Sequence, residues 1–167
     1  QQRIFGRSNL SFILTNKDGI GVRDFNRVAG VDYNLASKNN TWNGKFFYMK
    51  SFDPLKTNDN AVLGATMFFN KRFFEAKQTA YYIGENFNPE VGFLLRSAYR
   101  KPEVLIFKQV RMNGRYGLLE LRPHVSYRSY WNFDNFLETS YLHVDNHWVW
   151  VSGLEIHTGI NFTTEGV

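Results

Sequence analysis

The feature that most constrains this chain is a period of two sustained over stretches longer than a soluble strand needs. It is clearest in LELRPHVSYRSYW, residues 119–131. Leu119, Leu121, Pro123, Val125 and Tyr127 form one alternating set, and Glu120, Arg122, His124, Ser126 and Arg128 form the other. Successive side chains of an extended strand point to opposite faces, so this stretch has one apolar and one ionisable face. A sandwich strand would turn the apolar set into a core and the polar set to water. A membrane barrel would turn the apolar set to lipid and the polar set to a wet interior.

The same rhythm recurs along the chain. Leu10, Phe12 and Leu14 alternate with Ser11, Ile13 and Thr15, and Ala29, Val31, Tyr33 and Leu35 with Gly30, Asp32 and Asn34. Trp42, Phe46, Tyr48 and Phe52 share one face, and Ala61, Leu63, Ala65, Met67 and Phe69 another. The final segment sets Trp148, Trp150, Leu154, Ile156, Ile160 and Phe162 against Glu155, His157, Gly159 and Asn161. The spacing predicts about nine strands, most of them as long as the roughly 9–11 residues that cross a bilayer. Tight turns are expected at NKDG, SKNN and VDNH, and longer connections at SFDPLKTNDN and NFNPEVGFLLRSAYRKP. Aromatics gather near strand ends, as at Trp42, Phe52, Trp131, Trp148 and Phe162, where membrane interfaces lie.

Composition is consistent with either reading. A mean hydropathy of −0.39 fits a soluble domain and also a barrel, whose alternation averages out. No run approaches the ~18 apolar residues of a membrane helix. The chain has no cysteine, which excludes disulfides, thiolate nucleophiles and thiolate metal ligands. A net charge of +5 is modest, and the basic residues are scattered among carboxylates, so no nucleic-acid partner is expected. QQRIFGRSNL lacks the apolar region of a signal peptide, which suits a cytoplasmic protein, a mature form or a fragment.

The blocks FGRSNLSFILTNKDG, NRVAGVDYNLASKNNTWNGKFFYMKSFDP, NFNPEVGF and LRPHVSYRSYWNFDNFLETSYLHVDNHWVWVSGLEIHTGINFTTEGV resemble a family of bacterial outer-membrane proteins, DUF5916, common in Bacteroidota. That resemblance implies an antiparallel up-and-down transmembrane β-barrel. Residues 1–167 would be one segment of it, joined in the whole protein to a carbohydrate-binding-module-like sandwich and to further strands. It supplies a location and an architecture, with outer-membrane lipid, other envelope proteins and a glycan on the missing sandwich as partners. It supplies no catalytic residues.

On this reading Glu120, Arg122, His124, Arg128, His143, Asp145, Glu155 and His157 line an interior polar wall. Leu119, Leu121, Val125, Tyr127, Trp148, Trp150, Leu154, Ile156 and Ile160 face lipid. Glu155 and His157 sit two apart on one face, close enough for acid–base chemistry, but bracing of the interior is the plainer role. His143, Asp145 and His147 in HVDNH share a side of an extended strand, yet lack known zinc spacings and are expected to straddle a turn. They are therefore read as a polar network, with no metal and no cofactor. Asn88–Phe93 breaks the strand pattern as a loop folded into the barrel or an ordinary external loop. The sequons at Asn9, Asn39 and Asn161 are read as accidental. The expected function is a non-enzymatic outer-membrane pore, transporter or complex component. A soluble β-sandwich or small barrel binding carbohydrate or another ligand is the alternative.

Overall fold

The computed structural model describes residues 2–4, 7–21 and 24–167, which are all-β apart from one 3-10 turn at Arg115–Gly117. The strands are β1 (Gln2–Ile4), β2 (Ser8–Asp18), β3 (Phe25–Ala36), β4 (Trp42–Phe52), β5 (Ala61–Lys71) and β6 (Phe74–Ile83). They continue as β7 (Tyr99–Lys108), β8 (Val110–Arg111), β9 (Leu118–Trp131), β10 (Leu137–Trp150) and β11 (Glu155–Glu165). All belong to one antiparallel sheet in which sequence neighbours are spatial neighbours, with β8 beside β9. The sheet is up-and-down, as expected, but it is not closed: β1 and β11 are its two ends.

The count of about nine strands lacked the two shortest, β1 and β8. The β8 pairs Val110–Leu121 and Arg111–Glu120 continue the register of Phe107–His124 in β7. The ladder is interrupted opposite Pro123, which has no N–H to donate to it. The expected turn at VDNH is also corrected. β10 runs straight through Asp145 and Asn146, and the chain reverses at 151–154, where Gly153 takes a left-handed φ of 87°. Asp and Asn favour turns, but cross-strand pairing on both sides overrides that preference here. Trp148 and Trp150 therefore close β10 instead of opening β11. Asn16–Asp18 of NKDG likewise lie within β2.

The register joins the alternating sets into two continuous faces. On one, Phe12, Val31, Tyr48, Leu63 and Tyr82 are successive cross-strand partners. So are Phe69, Ala76, Ile106, Val125, Val144 and Ile160. Gln78, Asn146 and Thr158 interrupt this band, but most of it is apolar and no second layer of the described residues covers it. We call it the bare face.

The opposite face is partly covered by the connection 84–98. Phe87 of that segment is buried with Val28, Val62 and Ile83, against which Phe47, Met49, Leu94 and Tyr99 also pack. This small cluster is the core of the described residues. Polar anchors hold the segment down: Asn26 donates to the Asn88 carbonyl at 2.7 Å and accepts from the Glu90 N–H at 3.2 Å. The Asn88 N–H donates to Ser51 Oγ at 3.1 Å. NPEVGF is thus an irregular loop whose start, Asn88 to Glu90, is held on one face of the sheet, while Val91 and Phe93 stand exposed. Its backbone is irregular because Pro89 and Gly92 break the period, while Phe87 supplies the apolar anchor that keeps it on the sheet.

Candidate functional site

The covered face of β9, β10 and β11 gathers almost all of the chain's concentrated polar chemistry. Alternation places Glu120, Arg122, His124, Ser126 and Arg128 on that face of β9. The register sets His147 opposite Arg122, Asp145 opposite His124, and His143 opposite Ser126. On β11, His157 pairs with His147, Gly159 with Asp145 and Asn161 with His143. Every residue expected in the polar wall is therefore on one face of three adjacent strands.

They form a connected network. Glu120 is 5% exposed and accepts from Gln109 Nε2 and from Arg122 Nε, the latter at 2.6 Å. Arg122 reaches Glu155 Oε1 at 3.5 Å, and that same oxygen lies 3.1 Å from His157 Nε2 and 3.3 Å from His147 Nδ1. His147 Nε2 is 3.3 Å from Asp145 Oδ2, and His124 and His143 approach the same oxygen at 4.0 and 3.9 Å. His143 Nδ1 is 2.6 Å from Asn161 Oδ1, which also accepts from the Tyr141 hydroxyl at 2.7 Å. Arg128 stacks over the Tyr141 ring at 4.7 Å. The line thus runs unbroken from Gln109 to Arg128.

Several members were not expected in the wall. The sequence groups His147 with His143 and Asp145, but the turn expected there leaves it out of the wall; in the structure it lies within β10, 3.3 Å from Asp145 Oδ2. Gln109 stands where β7 gives way to β8, and nothing local marks it as the partner of Glu120. Asn161 and Tyr141 carry the right alternation parity, and that signal would have found them.

Of the residues expected to face lipid, those in the regular ladder fall on the bare face together. Leu121 and Ile156 flank Trp148, and Val125 and Ile160 flank Val144. Tyr127 pairs with Leu142. Leu119 is 44% exposed beside a register irregularity, and Leu154 sits in the closing turn and accepts from the Trp150 N–H at 2.9 Å. Aromatic pairs stand at several strand ends, with Trp42 on Phe69 at 4.7 Å and Tyr82 stacked on Phe133 at 5.1 Å, but Phe12, Phe46 and Tyr48 lie within their strands. Ala65 and Ala80 are paired in mid-sheet, and their small side chains leave an apolar hollow bounded by Phe46, Tyr48, Leu63 and Tyr82.

No known protein family, curated protein or solved structure matches the chain.

Proposed function

We propose that this chain is a segment of a bacterial outer-membrane β-barrel. It would act without catalysis, as part of a pore or transporter or as a component of an outer-membrane complex. The observation that carries this reading is the bare face. Phe12, Leu63, Val104, Ile106, Val144, Ile156, Ile160 and Phe162 are each at least 38% exposed on one continuous band, with no layer of the described residues packed over it. Monomeric soluble proteins rarely expose contiguous apolar patches beyond about 300–600 Å². Lipid tails cover such a surface without a second protein layer, and an acyl chain suits the hollow over Ala65 and Ala80.

Strand length adds support, since the long strands run from 10 to 14 residues. So does the polar face, because a network of paired charges suits a wet interior wall. The sheet has free edges among the described residues, and a sheet in lipid leaves no backbone edge unpaired. The reading therefore requires further strands against β11 and at the other end. Outer-membrane lipid is the primary partner, with other envelope proteins along the wall. Detergent extraction tests the reading: the protein should require detergent and migrate on a gel differently before and after heating. A monodisperse monomer in plain buffer overturns it.

A further inference from the structure

All four histidines of the chain lie in one patch, on β9, β10 and β11: His124, His143 and His147 approach Asp145, and His157 contacts Glu155. Asp145 has a side chain only 10% exposed, and its Oδ1 is buried with no hydrogen-bond partner. The orientation of the two rings that approach Oδ2 without bonding to it, His124 and His143, matters most. His124 Nδ1 lies 3.3 Å from the Arg122 carbonyl, and His143 Nδ1 lies 2.6 Å from Asn161 Oδ1. Both oxygens accept and cannot donate, so each Nδ1 carries its ring's hydrogen. Each Nε2 then presents a lone pair toward Asp145, at 4.0 and 3.9 Å from Oδ2.

With neutral rings, two lone pairs thus converge on Asp145 Oδ2, where His147 Nε2, at 3.3 Å, is the one ring nitrogen near enough to donate. The separations of His124 and His143 from Oδ2 exceed hydrogen-bond reach, the three ligand atoms lie within 4.8 Å of one another, and a cation among them would satisfy all three. Metal–nitrogen and metal–oxygen distances of about 2.0–2.2 Å let one ion span such gaps. The fixed Nδ1–H bonds are the outer contacts that orient histidine ligands in metal sites. Gly159, directly opposite Asp145 on β11, keeps the space open, since a Cβ there would come within 3.4 Å of Oδ1.

We propose that Asp145, His124 and His143 bind one divalent first-row transition ion. Two imidazoles and one carboxylate favour zinc, cobalt or nickel over magnesium or calcium, which prefer all-oxygen ligands. The neighbouring grouping of Asp145 with His147 and His157 is the poorer site. His157 is 56% exposed and committed to Glu155, and its ring is stacked on His147 at 3.6 Å. Asn161 is a positioning residue that acts through His143. The site depends on the polar face alone and stands whether or not the bare face meets lipid.

Cobalt is the probe. The full chain, purified with chelator and then freed of it, is titrated with Co²⁺ in detergent or in buffer, whichever keeps it folded. Visible d–d absorption reports binding, and zinc is then added as competitor. One equivalent should bind saturably and be displaced by zinc. His143→Gln and Asp145→Asn should abolish the band, and His157→Gln should leave it in place. Asn161→Ala, on the exposed edge strand, should weaken affinity by about 10–100-fold without loss of strand circular dichroism. A chain that binds no cobalt saturably overturns the proposal. So does a His157→Gln loss as large as that of His143→Gln, or a folded Asp145→Asn that keeps the band.

Discussion

Lys17 Nζ lies 2.6 Å from the Glu90 carboxylate, joining residues 73 positions apart across the covered face. The contact shows how far the segment 84–98 reaches, back over β6, β5, β4 and β3 to β2. It is not what fastens the segment. Lys17 is 54% and Glu90 34% exposed, and exposed pairs contribute little against side-chain entropy and screening. Asn26, at 1% exposure with two bonds to the segment, is the better candidate.

Replacing each in turn separates the two. Asn26→Ala should cost about 1–2 kcal/mol, because it removes two bonds from a buried side chain and leaves a partly buried carbonyl and N–H without that partner. It should also open 84–98 to limited proteolysis. Lys17→Ala should leave both the unfolding midpoint and the cleavage pattern unchanged. Equal effects from the two variants would put the ion pair in control.

Phe87 provides the apolar half of the same attachment. It is 7% exposed against Val28, Val62 and Ile83. Phe87→Ala should destabilise by about 3 kcal/mol, the lower end for a buried phenylalanine, because a loop collapses into the gap more easily than a strand does. Hydrogen exchange should speed up in 84–98 well before it does in β3 or β5. Uniform acceleration would mean that the segment is part of the global folding unit.

Asp53 gives the attachment a pH dependence. The Leu55 N–H, 2.8 Å from Oδ1, holds its carboxyl below the ordinary value of 3.8; burial opposes this, and the Asn88 amide at 3.2 Å adds to it. A depressed carboxylate stabilises fully above its unfolded pKa and loses that contribution as pH falls through the folded one. Loop protection should therefore be constant from neutrality down to about pH 4 and fall below that. Asp53→Asn should flatten the acid limb. An unchanged limb would assign the loss to other carboxylates.

The two faces of the sheet should respond oppositely to charge. Ile106→Lys, in the middle of the bare face, should cost about 2–4 kcal/mol of insertion into vesicles, seen as a lower yield of the heat-modifiable form. Ser126→Lys, opposite His143 on the polar face, should insert as well as the parent chain. If both variants insert equally, the bare face is not in lipid.

Most of this fold is written in the alternation, because a period of two fixes which side chains share a face once the strands pair as neighbours. Leu121, Val125, Ile156 and Ile160 could be assigned to one face on parity alone. The misreadings arose where local chemistry pointed away from the ladder. VDNH looks like a turn until its partners on β9 and β11 are known, and that expectation kept His147 out of the wall although its shared parity with His143 and Asp145 was legible. Parity could not reveal that Gln109 meets Glu120 or that Asn26 holds Asn88, since those contacts depend on where a strand is interrupted and where a loop lands. Closure is likewise invisible to alternation, which is the same in an open sheet and a closed one.

The three-strand patch around Asp145 also acts on the assembly of β9, β10 and β11. A one-residue slip of β10 against its neighbours would carry Asp145 to the apolar band and bring Val144 among the histidines. A two-residue slip would keep the faces but part Asp145 from His124 and His143 from Asn161. Hydrophobic patterning penalises only the first error. The polar cluster penalises both, so it works as a proofreading device for strand alignment, specifying one register out of several that the apolar face alone would accept.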